Sequence, residues 1–270
     1  MNGLRTIKTF LKTCKETAAR GIEAAARFLK PIKKILRDGL LSLFFPSICP
    51  SCKRYIKDFT HVYICEKCFN DIKPVPDPHC EICQKPLDTG ATLTCRECRD
   101  RKNYFSYTMA AGAYQGALKE MIHFYKFNKK KRLYKMLSEI MLDNIHHEVF
   151  EGIDIIVPAP LSRKSLEERE YNQTELIASY LSYKLGIPAA NLVIKTKETE
   201  RQSSLEREKR LTNLKGAFDI KKEFIDKVEG RNILVVDDVY TTGSTINEIA
   251  RTLVLAGAEE VRAVTVARAV

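Results

Sequence analysis

The sequence predicts an α/β chain: an open parallel sheet with helices on both faces, preceded by a small cysteine-rich module and an N-terminal amphipathic helix. Three observations carry this. Two apolar runs rich in β-branched residues, Ile153–Val157 and Ile233–Val236, each lead into helical periodicity, as strands buried on both faces do in α/β units. Eight of the nine cysteines form four C-x-x-C pairs within residues 49–98. Leu4, Ile7, Leu11, Cys14, Ala18, Ile22, Ala25 and Leu29 recur at three- and four-residue steps. The expected division is 1–45 for the helical extension, 46–102 for the cysteine module and 103–270 for the α/β domain.

Length and composition narrow the class. A chain of 270 residues with 44% apolar content can bury a core as one or two domains. The net charge is +11, and residues 1–45 hold ten Lys/Arg against three Asp/Glu. That asymmetry points to an acidic partner surface, nucleic acid or anionic lipid. No run of 18 apolar residues exists, and the N-terminus lacks the apolar core of a secretory signal. The expectation is a cytoplasmic protein, with peripheral contact at the inner membrane face through residues 1–45 as the alternative. In a reducing compartment paired cysteines favour metal over disulfide.

Taken in order, the first helix sets Lys8, Lys12, Lys15, Arg20 and Arg27 largely off its apolar stripe, and Pro31 breaks it. Such a helix lies on a membrane or nucleic acid, or packs on its own protein or on a second copy as a homodimer. The module follows, with Cys49/Cys52, Cys65/Cys68, Cys80/Cys83 and Cys95/Cys98 separated by gaps of 12, 11 and 11 residues. Two C-x-x-C turns complete a tetrahedral Zn²⁺ site, so eight thiolates make two closed, structural sites. Sequential and interleaved pairing are both open, and disulfides or an iron–sulfur cluster compete with zinc. Lys53, Arg54, Lys67, Arg96, Arg99, Arg101 and Lys102 suit either a nucleic-acid backbone or a solvated surface.

Beyond Tyr104 the composition changes. Tyr107–Tyr114 reads as a strand and Gly116–Phe127 as a helix with Leu118, Met121, Ile122 and Tyr125 on one face. Lys126, Lys129, Lys130, Lys131 and Arg132 then form a cationic cluster beside aromatics. Single-stranded nucleic acid favours that mixture, by stacking plus backbone neutralisation, and an exposed helix junction would use the same letters. Leu133–Val149 reads as a helix, and Ile153–Val157 as a strand stopped by Pro158 and Pro160. A charged stretch from Ser162 to Gln173 leads into a helix carrying Leu176, Ile177, Tyr180, Leu181 and Leu185. Strands Leu192–Ile194 and Ala217–Ile220 bracket a second charged stretch, and Val261–Ala267 is the last strand.

The organising stretch is Ile233-Leu-Val-Val-Asp237-Asp238-Val-Tyr-Thr241-Thr242-Gly243-Ser244-Thr245. The strand is expected to end at Val236, with the two carboxylates beyond it. Small hydroxyl residues then open a helix carrying Ile246, Ile249, Ala250, Leu253 and Val254. Ligands of open α/β sheets sit at the carboxyl ends of strands. A Thr/Gly/Ser turn at a helix start offers N–H groups, hydroxyls and the positive helix end to a phosphate. Adjacent carboxylates accept hydrogen bonds from a diol or hold hydrated Mg²⁺. The pattern fits a ribose bearing a 5′-phosphate; a solvated turn with a helix cap is the plainer alternative.

VVDDVYTTGST resembles the 5-phosphoribosyl-1-diphosphate (PRPP) binding motif of type I phosphoribosyltransferases. VPAPL followed by REYNQTELIA is similar to the V-P-V-P-L…R-G-F-N-Q segment of the ComF/GntX family. Gln202, Leu205, Arg207, Arg210, Asn213, Gly216 and Phe218 resemble a further block of that family, as do Leu43-Phe-Phe-Pro46 and Cys49-Pro-Ser-Cys52. The resemblance covers about residues 40–270. It departs at Glu170-Tyr171, where the family has Gly-Phe.

The resemblance implies a type I phosphoribosyltransferase-like sheet behind a double zinc ribbon, with PRPP bound as its Mg²⁺ complex. Thr241, Thr242, Gly243, Ser244 and Thr245 would wrap the 5′-phosphate, and Asp237 and Asp238 would hold the ribose hydroxyls. Arg163, Arg169 and Asn172 would face the diphosphate. Residues 195–218 would form a flap bringing Lys195, Lys197, Arg201, Arg207 and Arg210 over it, or else a solvated peripheral helix. No residue is singled out as a catalyst. The implied role is handling of single-stranded DNA in DNA uptake, with the uptake machinery as partner. The alternative is a phosphoribosyltransferase acting on an unidentified acceptor.

Overall fold

The computed structural model describes residues 48–56, 64–88, 92–128, 130–197, 214 and 216–270. The expected helix over residues 1–45 and most of the expected flap lie outside them. The chain divides into two compact units, Met1–Cys65 and Glu66–Val270. In the first, Ile48 and Tyr55 form an antiparallel bridge, and Lys53 N donates to Cys49 O at 2.8 Å across a tight knuckle.

The second unit holds seven α-helices, two 3-10 helices and six strands among the described residues. Two short helices, α1 (Glu66–Asn70) and α2 (Arg96–Asp100), start one residue after Cys65 and Cys95. Next come β1 (Thr108–Ala110), α3 (Gly116–Phe127), α4 (Leu133–Asn144) and β2 (Ile155–Pro158). Then α5 (Arg163–Arg169), α6 (Gln173–Leu185), β3 (Val193–Lys195) and β4 (Phe218–Ile220). The chain closes with β5 (Asn232–Tyr240), α7 (Ser244–Leu255) and β6 (Glu260–Arg268).

The main sheet runs β1-β6-β5-β2 and every pairing in it is parallel, while β3 and β4 form a separate antiparallel pair. Period-two alternation sends Ile155, Val157, Ile233, Val235, Val261 and Ala263 to one face. There they meet Ile246, Ile249, Ala250 and Leu253, which recur on α7 at helical steps. Burying each Ile or Leu of that stripe contributes about 1.5–3 kcal/mol. On the opposite face α6 packs on β2 and β5, and α4 on β6. Cys80, Cys83, Cys95 and Cys98 belong to the same buried cluster as α7, so the second cysteine group is built onto the sheet domain.

Three expectations needed correction. The helix expected over Leu133–Val149 ends at Asn144, and a separate 3-10 turn follows at His147–Phe150. Strand β5 does not stop at Val236 but runs through Asp237 and Asp238 to Tyr240, paired with β6 as far as Tyr240↔Arg268. Its pairing with β2 ends at Pro158↔Val236, and Ala159 N still reaches Val236 O at 2.9 Å. From Asp237 onward one side of β5 is paired and the β2 side has no strand partner, which leaves the carboxylates at an opening. The expected strand Tyr107–Tyr114 is only three residues long. The chain bends at Gly112, which lies so close to Lys73 O that an added Cβ would stand 2.9 Å from it, and rejoins β6 through Ala113.

Candidate functional site

The loop between β5 and α7 requires glycine at one position. Gly243 has φ +75°, and a Cβ there would stand 2.0 Å from Tyr240 Oη. Thr242 Oγ1 and Ser244 Oγ are 2.7 Å apart, and Asn247 N donates to Gly243 O at 2.8 Å. Asp237, Thr241, Gly243, Ser244 and Thr245 line one small concavity together. Of the sequence-picked residues, Asp238 and Thr242 do not line it, and Thr242 lines the cavity beside the second cysteine set.

The two carboxylates differ in environment. Asp237 accepts from Asp238 N at 2.8 Å, yet burial and then repulsion from Asp238 push its pKa up to about 7. Asp238 accepts from Lys126 Nζ at 2.7 Å, in a pair whose side chains are 17% and 13% exposed. Lys126, the first lysine of the cationic cluster, thus sets its ammonium on the acidic pair. Lys129 lies outside the described residues. Lys130 and Arg132 are exposed, and Lys131 Nζ lies 5.7 Å above the Tyr171 ring. Phe127 is 53% exposed, with the Arg169 guanidinium 5.3 Å from its ring centre.

The segment after β2 returns to the carboxyl end of that strand, where Asn172 and Thr174 both donate to Ala159 O. Ser162 caps α5, accepting from Ser165 N at 3.3 Å. Glu170, where the resembled family has glycine, ends α5 in the left-handed region with φ +67°. An L side chain in that conformation carries roughly 1–2 kcal/mol of strain. Arg169 Nη1 donates to Gln173 Oε1 at 3.1 Å, and Tyr171 Oη donates to Tyr125 O at 2.6 Å. Asn172 Nδ2 donates to Ala159 O at 3.2 Å while its Oδ1 caps α6 at Thr174 N. Arg169 and Asn172 are thus fixed beside the carboxyl end of β2. Arg163 is not held in this way: it is 89% exposed at the side chain and pairs with Glu167 at 3.1 Å.

The eight thiols gather as Cys49/Cys52/Cys65/Cys68 and Cys80/Cys83/Cys95/Cys98, each set with its sulfurs within 4.8 Å of one another. Pairing is sequential. Each set combines a knuckle with a helix start, and Lys53 and Gln84 take matching φ values of 60° and 56° after the second knuckle cysteine. The Cys52–Cys65 and Cys83–Cys95 sulfurs are 3.6 and 3.7 Å apart. Tetrahedral Zn–S bonds of about 2.3 Å require an S···S edge of about 3.8 Å, so both sets fit the metal. In the second set the hydrogen bond from Cys98 holds Cys83 down to about 5, and that bond and burial push Cys98 well above the usual thiol range. A divalent cation is what would let all four ionise together.

Two arginines reach this site that the sequence did not assign to it: Arg101, grouped there with basic residues suited to a nucleic-acid backbone or a solvated surface, and Arg268, not singled out at all. Arg101 Nη1 donates to Thr242 O at 2.8 Å, and its Nη2 to Tyr240 Oη at 3.0 Å. Arg268 is 4% exposed, donates to Thr241 O at 2.8 Å, and stacks 4.5 Å from the Tyr240 ring centre. The available signal was a lone arginine closing the apolar strand Ala263–Ala267, where a charge needs a buried partner.

Comparison with known proteins agrees with this layout. Residues 40–99 match the double zinc ribbon domain, and residues 174–269 the phosphoribosyl transferase domain. Competence protein F of Haemophilus influenzae is 32% identical over 239 residues, covering 86% of this chain and 94% of that protein. DNA utilization protein YhgH of Escherichia coli K12 is 30% identical over 225 residues, covering 82% and 96%. Among solved structures, the glutamine PRPP amidotransferase of B. subtilis aligns with 20% identity and a TM-score of 0.32, over 51% of this chain and 26% of that enzyme. No helix among the described residues is long and apolar enough to cross a membrane. The chain belongs to the ComF family of competence and DNA-utilisation proteins, which join a double zinc ribbon to a phosphoribosyltransferase-type domain.

Proposed function

We propose that this protein binds a ribose 5′-phosphate group at the β5–α7 loop and handles single-stranded DNA along the cationic face beside it. Thr241, Thr242, Gly243, Ser244 and Thr245 take the phosphate. Asp237 and Asp238 take the ribose hydroxyls, and Arg169 and Asn172 face a diphosphate, with Mg²⁺ accompanying PRPP. The observation that carries the reading is Lys126, which opens the cationic cluster and donates to Asp238 at 2.7 Å. Lys126 therefore joins the start of the cluster to the acidic pair. Phe127 and Tyr171, each beside a cation, offer faces on which bases can stack. The names of the relatives, competence and DNA utilization, support a place in DNA uptake.

Titration calorimetry of Mg²⁺–PRPP into the full chain tests the pocket. Wild type is expected to bind and Asp237→Asn/Asp238→Asn to lose binding; no heat with wild type would sink the ribose-phosphate reading. Fluorescence anisotropy with single strands tests the path. A 5′-phosphorylated strand is expected to bind more tightly than the 5′-hydroxyl strand, and both to weaken steeply between 50 and 200 mM salt. Equal affinity at all salt concentrations would remove DNA from the proposal.

A second reading, transfer of the phosphoribosyl group to an acceptor, is favoured by the glycine-enforced loop and the acidic pair. The C1–O bond to diphosphate breaks with its electrons leaving on diphosphate, and an acceptor lone pair forms the new bond to C1. The chain's part would be electrostatic, through an oxocarbenium-like state. Acceptor-dependent release of diphosphate would establish it. The three-part division at residues 45 and 102 is retained, with residues 1–45 offered as the peripheral membrane or dimer contact.

The raised Asp237 pKa makes a separate prediction. A carboxyl at about 7 when folded and 3.8 otherwise favours the folded state while protonated. That stability is present below pH 3.8 and is lost as pH rises through about 7. Asp237→Asn is therefore expected to stabilise the ligand-free protein at pH 8 by about 1–3 kcal/mol while impairing ribose binding. Urea melts of both proteins at pH 5 and pH 8 check it; an unchanged difference between the two pH values would overturn the assignment.

A further inference from the structure

We propose that the second cysteine site is the anchor of the phosphate-binding loop, acting through Arg101 and Arg268 as positioning residues. This rests on the loop being a phosphate site, and it adds what holds that loop in its binding shape. Three successive carbonyls of the loop are each taken by a guanidinium. Arg268 Nη1 donates to Tyr240 O at 3.3 Å and to Thr241 O at 2.8 Å, and Arg101 Nη1 donates to Thr242 O at 2.8 Å. In a planar trans peptide the C=O of one residue and the N–H of the next point in opposite directions. Pinning the carbonyls of 240, 241 and 242 toward the arginines therefore turns the N–H groups of Thr241, Thr242 and Gly243 the other way. Cation contact at the carbonyl end also polarises each peptide toward a stronger donor.

Both arginines are tied to the cysteine site. Arg268 Nη2 lies 3.8 Å from Cys83 Sγ, so one buried guanidinium spans the thiol and the loop. Zinc-bound thiolates would leave that site net negative, and Arg268 is the counter-charge already in place. Arg101 sits just past α2, the helix that carries Cys98. Arg101 Nε donates to Asn103 Oδ1 at 3.0 Å, and Asn103 Nδ2 donates to Cys98 O at 2.9 Å. Asn247, in the first turn of α7, adds a second tie by accepting from Tyr104 N at 2.9 Å and donating to Lys102 O at 3.2 Å. Arg101 and Arg268 lie on the wall of a cavity of about 430 Å³ that Cys83, Cys95 and Cys98 line together with Tyr240, Thr241 and Thr242.

The test uses the full zinc-loaded chain with Arg101→Met and Arg101→Lys. Zinc content is measured first, then amide hydrogen exchange of residues 241–245, then calorimetry with ribose 5-phosphate. Arg101→Met is expected to keep two zinc ions per chain while its loop amides exchange at least roughly tenfold faster and affinity falls by a similar factor, the scale of a lost charged hydrogen bond. Arg101→Lys keeps the charge without the two-pronged fork and is expected to fall between the two. Exchange and affinity unchanged in Arg101→Met would overturn the proposal. So would loss of zinc from that variant, because Arg101 would then support the metal site rather than the loop. The two readings fail separately: if Arg101→Met loosens the loop but neither protein binds ribose 5-phosphate, the phosphate reading fails while the arginine tie to the loop remains.

Discussion

Replacing Cys95 by serine is expected to leave at most one tightly held zinc ion per chain and to unfold the knuckle around Cys80–Cys98. Structural zinc in small modules supplies on the order of 10–16 kcal/mol of apparent folding free energy, more than a domain's usual net stability. The second cysteine set is buried and shares a core with Phe105, Tyr240 and α7, so the loss spreads into the sheet domain. Elemental analysis checks the stoichiometry, and thermal melts followed by near-ultraviolet circular dichroism check the spread. Retention of two zinc ions by Cys95→Ser would contradict the assignment of Cys95 as a zinc ligand. The corresponding change in the first set, Cys52→Ser, should also cost one zinc ion, and its comparison with Cys95→Ser measures how much the α/β domain depends on the second set alone.

Gly243→Ala carries the second large effect. A Cβ there would meet Tyr240 Oη at 2.0 Å and Tyr240 Cζ at 2.3 Å, and Tyr240 is only 2% exposed. The ring cannot swing aside without giving up Arg101 and the stack with Arg268. Added to the left-handed backbone at φ +75°, the substitution is expected to destabilise the protein by about 3–5 kcal/mol and to abolish Mg²⁺–PRPP binding. Gly230→Ala is the matched control, with φ +63° and nothing within 4 Å of the added carbon. It should cost only about 1 kcal/mol and leave binding intact. Urea denaturation and calorimetry on the two variants separate backbone strain from the steric requirement; equal behaviour would mean the loop accommodates a side chain at Gly243.

Local chemistry made part of this protein legible from the chain alone. The helix expected at Gly116–Phe127 is found with those bounds, because its apolar residues recur at the helical period and Leu118, Met121, Ile122 and Tyr125 are all buried. The turn at Thr241–Thr245 was legible because glycine, hydroxyls and a following amphipathic helix are neighbours in sequence. Cysteine knuckles are local for the same reason: two thiols three residues apart must share one turn.

What depended on distant contacts could not be read. Nearly equal gaps of 12, 11 and 11 residues allow either pairing of the knuckles, and only the folded chain brings Cys49 to Cys65 and Cys80 to Cys95. Lys126 and Asp238 are 112 residues apart, so nothing local distinguished Lys126 from the lysines that follow it. Strand β5 outruns its apolar stretch because β6 keeps pairing with it past Val236, a fact about a neighbour rather than about Asp237 and Asp238. The sequence by itself determined the chemistry available: eight thiols, an acidic pair, and a glycine-centred loop at a helix start. Tertiary structure decided which groups meet, because Arg101 and Arg268 lie 141 and 27 residues from the loop carbonyls to which they donate.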